Sequence, residues 1–174
     1  FITEGSSVNA YFGDDVGISR NGNTIIVGAK YERLRANGTD GGTGIKGTAN
    51  IFTRSGTTWS HEQRLVSSNY SSTTDQFGYA VAISGDGTLA AIGAPFRTRT
   101  SDSRQVGGIE VWKKRNGSWE YGCYINPSID PMVTTEENQE HGYSVDIDAI
   151  GERIIVGAPK KNWNPNPAKA DCGA

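Results

Sequence analysis

The chain has 174 residues, enough for one ordinary domain with a real core, and its formal charge of −2 lacks the basic excess of a nucleic-acid binder. Its 23 glycines, its many Ser, Thr and Asn, and apolar residues that are mostly β-branched or aromatic point to short strands joined by turns, an all-β protein. No apolar run is long enough to cross a bilayer, which argues against membrane insertion.

In chain order, FITEGSSVNAYFG opens without the basic start and apolar stretch of a signal peptide. Residues 1–11 read as the tail of a preceding unit and a linker. Residues 12–30, FGDDVGISRNGNTIIVGAK, then spell strand, tight turn, strand, with Asn21-Gly22 supplying the turn. A second hairpin follows at 47–65, GTANIFTRSGTTWSHEQRL, cornering at Ser55-Gly56. The pattern then returns. FGYAVAISGDGTLAAIGAP covers 77–95 with its turn at Gly85-Asp86-Gly87, and GGIEVWKKRNGSWEYGCYI ends at Ile125 with its corner at Asn116-Gly117. HGYSVDIDAIGERIIVGAP starts a third copy at His141, where only Gly151 supports the turn.

Phe12 and Phe77 lie 65 residues apart, and Phe77 and His141 lie 64 apart. A nearly constant period of this kind marks an array of supersecondary units. Each full unit is four antiparallel strands, the size of one propeller blade. The continuous runs TIIVGA, LAAIGA and RIIVGA predict a strand buried on both faces in every unit. The expectation is a partial β-propeller: two complete four-stranded antiparallel blades at 12–65 and 77–125, plus the first hairpin of a third at 141–174. A closed ring of even four such units needs roughly 260 residues, so either further blades of a longer protein or other chains are expected to complete it.

Function is sought in the loops. The connections between second and third strands are basic: Lys30, Arg33 and Arg35, then Arg97, Arg99 and Arg104, then Lys160 and Lys161 followed by Trp163. Together they read as a ridge for an acidic protein partner or an anionic glycan, against the plainer reading of solvated loop charges. Asn37, Asn69 and Asn116 head acceptor sequons for N-glycosylation. Trp59, Trp112 and Trp119 sit at strand positions and read as packing residues. Cys123 and Cys172 form no CxxC or metal motif; a single disulfide and two inert thiols stay equally open. His61 and His141 lack the company of a zinc site, so no metal and no cofactor are expected. The acidic pairs Asp14-Asp15 and Glu136-Glu137 are adjacent, and neighbours on a strand point to opposite faces, so neither makes a catalytic dyad. No catalytic residues are expected.

With Phe77-Gly78 and Gly93-Ala94-Pro95 in the middle copy, the chain resembles the FG-GAP repeat, the blade of the integrin α-subunit β-propeller and of many extracellular proteins. The first copy departs from the pattern at Lys30 and the third at His141. The resemblance implies a non-catalytic extracellular or cell-surface module for protein association, adhesion or assembly of a surface structure. Its alternatives are an accessory propeller of a secreted hydrolase and a lectin-like glycan binder. The Asp-rich calcium loop usual in that family is absent, since SRNGNT, SGDGTL and DAIGER hold too few carboxylates to give calcium its six to eight oxygens.

Overall fold

The computed structural model describes residues 10–34, 44–45, 47–68, 74–98, 103–126 and 139–160. Two four-stranded antiparallel sheets dominate. The first runs β1 (Phe12–Ile18), β2 (Thr24–Ala29), β5 (Thr48–Ser55), β6 (Thr58–Leu65), in that spatial order. Between its second and third strands lies a short side hairpin, β3 (Arg33–Leu34) with β4 (Gly44–Ile45). The second sheet places β7 (Val81–Ile83), β8 (Leu89–Gly93), β9 (Ile109–Arg115) and β10 (Ser118–Ile125) side by side in chain order. A third hairpin pairs β11 (Ser144–Ile147) with β12 (Ile154–Gly157). Among the described residues no helix is long and apolar enough to cross a membrane.

The three first hairpins close in the same way, because their turn chemistry is the same. Gly22, Gly87 and Gly151 hold φ of 64°, 73° and 75°, and their N–H groups donate to the carbonyls of Ser19, Ser84 and Asp148 at 2.9–3.0 Å. The weak turn signal of the third copy therefore gives the same turn as the others. Side chains complete each turn: the Thr24 N–H donates to Ser19 Oγ, the Leu89 N–H to Ser84 Oγ, and the Arg153 N–H to Asp148 Oδ1, all within 3.1 Å. Asn21 and Asp86 hold equivalent places and accept from the N–H of Asn23 and Thr88. The carboxylates of Asp86 and Asp148 are thus engaged in turn closure.

The outer hairpins corner on two-residue loops, as the pairings Ser55↔Thr58 and Arg115↔Ser118 show. Asn116 and Gly117 both have positive φ, the conformation that a tight hairpin between twisted strands requires.

The sheets stack face to face. Ile26, Ala49, Ile51 and Leu65 of the first sheet meet Val81, Ile83, Ala90, Ile92, Trp112 and Trp119 of the second, with Phe77 buried among them. The third hairpin repeats this contact on a smaller scale, setting Val145, Ile147 and Ile154 against Ala82, Ala91 and Leu89. Trp112 and Trp119 are the packing residues expected. Trp59 is not: it is 40% exposed, because the face it occupies points away from the second sheet.

The repeated Phe-Gly and Gly-Ala elements explain how one unit seats on the next. The N–H of Gly78 donates to the carbonyl of Gly93 in its own unit at 3.0 Å, and Gly142 does the same to Gly157 at 3.1 Å. The opposite side of the turn at Gly78 and of that at Gly142 rests on the preceding unit. A Cβ at Gly28 would overlap the Gly78 carbonyl, and one at Gly93 would overlap that of Gly142. Glycine is needed at 28 and 93 for close approach of backbone to backbone. The residue before each Phe-Gly element is left-handed in all three units, with φ of 55°, 53° and 55° at Tyr11, Gln76 and Glu140. The inner turns are linked as well: the Arg20 N–H donates to the Gly85 carbonyl at 2.9 Å, and the Gly85 N–H to the Ala149 carbonyl at 3.0 Å.

Candidate functional site

The residues just after the Phe-Gly element come together from all three units. They line a cavity of about 440 Å³ with Asp14, Asp15 and Lys30 from the first unit, Tyr79 and Ala80 from the second, and Tyr143, Ser144 and Val145 from the third. Asp14, Tyr79 and Tyr143 occupy the same repeat position, as do Asp15, Ala80 and Ser144. The repeat thus builds the cavity, and divergence at two positions gives it its chemistry.

Lys30 stands where the other two units have Pro95 and Pro159. Its ammonium pairs with the Asp14 carboxylate. It also lies over three tyrosine rings, 4.4 Å from the centroid of Tyr79, 5.6 Å from Tyr31 and 5.7 Å from Tyr11. Ring faces attract cations electrostatically, and the attraction grows as water is excluded. Asp15 ties the first unit to the second: Oδ2 accepts the Val81 N–H at 2.7 Å and Oδ1 its neighbour Val16's at 3.0 Å. Tyr79 stacks obliquely on Tyr143 at 4.8 Å between centroids and meets the edge of Phe96 at 6.1 Å. Burial pushes the Tyr79 hydroxyl well above the usual tyrosine range, helped by its hydrogen bond with Tyr143 and the nearby Glu140 and Asp14 carboxylates. It stays protonated and can donate at any physiological pH.

Among the described residues of the expected basic ridge, Arg97 does not reach the surface. Arg97 is only 2% exposed. Its guanidinium pairs with Glu110 at 2.8 Å and with Asp75 at 3.4 Å, donates to Ser67 Oγ, and lies 4.5 Å from the centroid of Tyr124. Glu110, itself fully buried, also accepts from Ser67, Ser68 and Trp112 Nε1. Arg97 therefore fastens Ser67 and Asp75, which lie between β6 and β7, to Glu110 on β9 of the second blade, and the correction has a simple cause: two buried carboxylates need a buried cation. Burial raises the Tyr124 hydroxyl to about 12, although Arg97 pulls the other way.

Arg33 is exposed on β3, Arg104 is half-buried, and Lys160 is exposed but paired with Glu140 at 2.7 Å. Arg35, Arg99, Lys161 and Trp163 lie outside the described residues, as do Asn37, Asn69 and Cys172. Asn116 sits exposed at a hairpin corner, and Cys123 is exposed. Among the described residues no group of three His, Cys, Asp or Glu side chains is placed to hold a metal ion. Sequence reasoning passed over the cavity, although Lys30, the one residue that breaks Gly-Ala-Pro, was its signal.

Wedge-like sheets stacked face to face, each handing its Phe-Gly turn to its predecessor, define a run of β-propeller blades. Residues 59–107 match the FG-GAP repeat family, so the chain carries an FG-GAP repeat. The matched stretch begins on the outer strand of the first blade and ends past the inner hairpin of the second. No curated protein matches the chain.

Proposed function

We propose that this chain is a segment of an extracellular, non-catalytic propeller, and that its three-unit cavity holds a basic side chain of a protein partner. The observation that carries the reading is Lys30: an alkylammonium already sits in this place, between one carboxylate and three tyrosine rings. Asp15 adds a second carboxylate at the wall, and Tyr143 offers an exposed ring at the rim. A guanidinium or ammonium entering beside Tyr143 would meet ring faces and carboxylate oxygens, the combination that binds cations best when water is thinned out. Both acidic residues of the wall are occupied in holding, Asp14 by Lys30 and Asp15 by backbone N–H groups, which favours a gripping role over proton transfer. The extracellular setting rests on the kind of protein in which FG-GAP repeats are common.

The test is a titration with the blocked tripeptides Gly-Arg-Gly, Gly-Lys-Gly and Gly-Glu-Gly, followed by NMR of the tyrosine rings. Saturable shifts at Tyr79 and Tyr143 with the basic peptides alone, lost in Asp15→Asn and Tyr143→Ala, support the reading. Equal response to the glutamate peptide, or none to any, removes it.

A further inference from the structure

The tripeptide Arg-Asn-Gly occurs twice in the chain, as Arg20-Asn21-Gly22 in the first inner turn and as Arg115-Asn116-Gly117 at the outer corner of the second blade. An asparagine followed by glycine is open to attack on its side-chain amide by the next backbone nitrogen, because glycine has no side chain to hinder the approach. Both asparagines are exposed. The local chemistry is the same in the two copies, but the fold treats them differently.

In the first copy both reacting groups are engaged. Asn21 Oδ1 accepts from the Ser19 hydroxyl at 2.8 Å and from the Asn23 N–H at 2.9 Å. The Gly22 N–H, the group that would attack, donates to the Ser19 carbonyl at 2.9 Å. That nitrogen becomes a nucleophile only by giving up its proton, and the carbonyl oxygen facing it holds the proton and would repel the anion. Arg54 braces the same turn from β5, its N–H donating to the Asn23 carbonyl at 2.8 Å and its Nη2 to Asn23 Oδ1 at 3.0 Å. In the second copy neither reacting group is engaged. Among the described residues the Asn116 amide and the Gly117 N–H make no hydrogen bond. A Cβ at Gly117 would meet nothing within 4 Å, so the corner stands clear of the rest of the protein.

We propose that Asn116 is a site of spontaneous modification, converting through a succinimide to aspartate and isoaspartate, while Asn21 is protected by its turn. The Gly117 nitrogen bonds to Asn116 Cγ, the Cγ–Nδ2 bond breaks, and the side-chain nitrogen leaves as ammonia with the proton that the backbone nitrogen gave up. Water then opens the ring at either carbonyl. Water is the sole co-reactant, and nothing is oxidised or reduced. Opening on one side gives aspartate; opening on the other gives isoaspartate, which adds a carbon to the backbone of the corner between Arg115 and Ser118. Both products place a carboxylate where the amide stood, and both destroy the acceptor of the sequon Asn116-Gly117-Ser118, so a glycan and this conversion are mutually exclusive fates of one side chain. The inference is independent of the cavity reading, and neither falls with the other.

The test follows both amides by peptide mass mapping of the full chain, made in a bacterial host so that Asn116 carries no glycan. The chain is incubated at mildly alkaline pH, folded and, in parallel, unfolded in urea. In the folded chain Asn116 is expected to lose its amide roughly tenfold faster than Asn21 or more, the ratio set by the hydrogen bonds that Asn21 and Gly22 must break. In urea the two rates are expected to converge, because the tripeptides are identical. Isoaspartyl methyltransferase is expected to label the Asn116 peptide of the aged folded chain. Equal rates in the folded chain, faster loss at Asn21, or an Asn116 that stays intact would overturn the inference. So would a preference for Asn116 that persists in urea, since it would then come from the sequence and not from the fold.

Discussion

Gln63 on the outer strand of the first blade grips Trp119 on the outer strand of the second at two points. Its Nε2 donates to the Trp119 carbonyl and its Oε1 accepts the Trp119 N–H, each at 2.9 Å. The side-chain amide takes the place of a peptide group between strands that belong to different sheets. Beside it Lys114 pairs with Glu62 across the same junction.

Gln63→Leu keeps the volume and removes both bonds, leaving the Trp119 peptide groups short of partners. A loss of about 1–3 kcal/mol is expected, read as a lower urea midpoint at unchanged slope. Gln63→Glu retains the acceptor but sets a carboxylate against a carbonyl, and should fall at least as far. A midpoint equal to wild type in both would show the clasp to be dispensable.

Arg97→Met strands Glu110 and Asp75 in the interior. Removing one partner of a buried pair costs about 3–5 kcal/mol, whereas Arg33→Met on the exposed side hairpin should stay within about 0.5 kcal/mol. Side-by-side urea titrations settle the comparison. Equal, small effects would return Arg97 to the surface role that its loop composition suggests.

Gly28→Ala and Gly93→Ala each drive a methyl into the carbonyl of the next unit. Both should unfold the junction they sit on, with amide exchange rising in β7 for the first and in β11 for the second. Gly56→Ala is the control: its φ of 60° brings strain of roughly 1–2 kcal/mol, but nothing lies within 4 Å of the added Cβ. Matching exchange profiles for all three would contradict the seating of one unit on another.

Asp86 is held below its ordinary 3.8, first by the Ser84 hydroxyl and then by the hydroxyl and N–H of Thr88, with partial burial opposing them. A carboxyl lowered by folding stabilises the native state fully above its unfolded value and loses that contribution as pH falls through the folded one. Asp148 is lowered in the same sense, chiefly by the Arg153 and Glu152 N–H groups. Thermal melts from pH 7 to pH 2 should therefore fall off below about pH 4. In Asp86→Asn the fall should be shallower, since Asn21 already serves the first turn in the uncharged form. Superimposable pH profiles would rule the carboxylate out as a source of acid sensitivity.

The strands were legible because their signals are local. Gly22, Gly87 and Gly151 recur at one repeat position, and the apolar alternation around them fixes the hairpin register whatever lies outside it. The fate of Arg97 was hidden, because the carboxylates that bury it come from β9 and from the crossover between blades, and a basic loop looks the same whether it is solvated or clamped. Trp59 and Trp119 have the same local sequence setting and opposite exposures, since burial there is decided by a neighbouring sheet. The cavity was half visible: the break in Gly-Ala-Pro marked Lys30, but only the fold brings Tyr11, Tyr31 and Tyr79 around it.

The turns at Gly78 and Gly142 are hydrogen-bonded to their own unit and seated on the one before, so the sequence repeat and the packing contacts are out of phase. Excising residues 77–125 would sever a lock at both ends, while a cut at the Asn116-Gly117 corner would sever none. Duplicating one full period from that point would lengthen the array without creating a single new kind of joint.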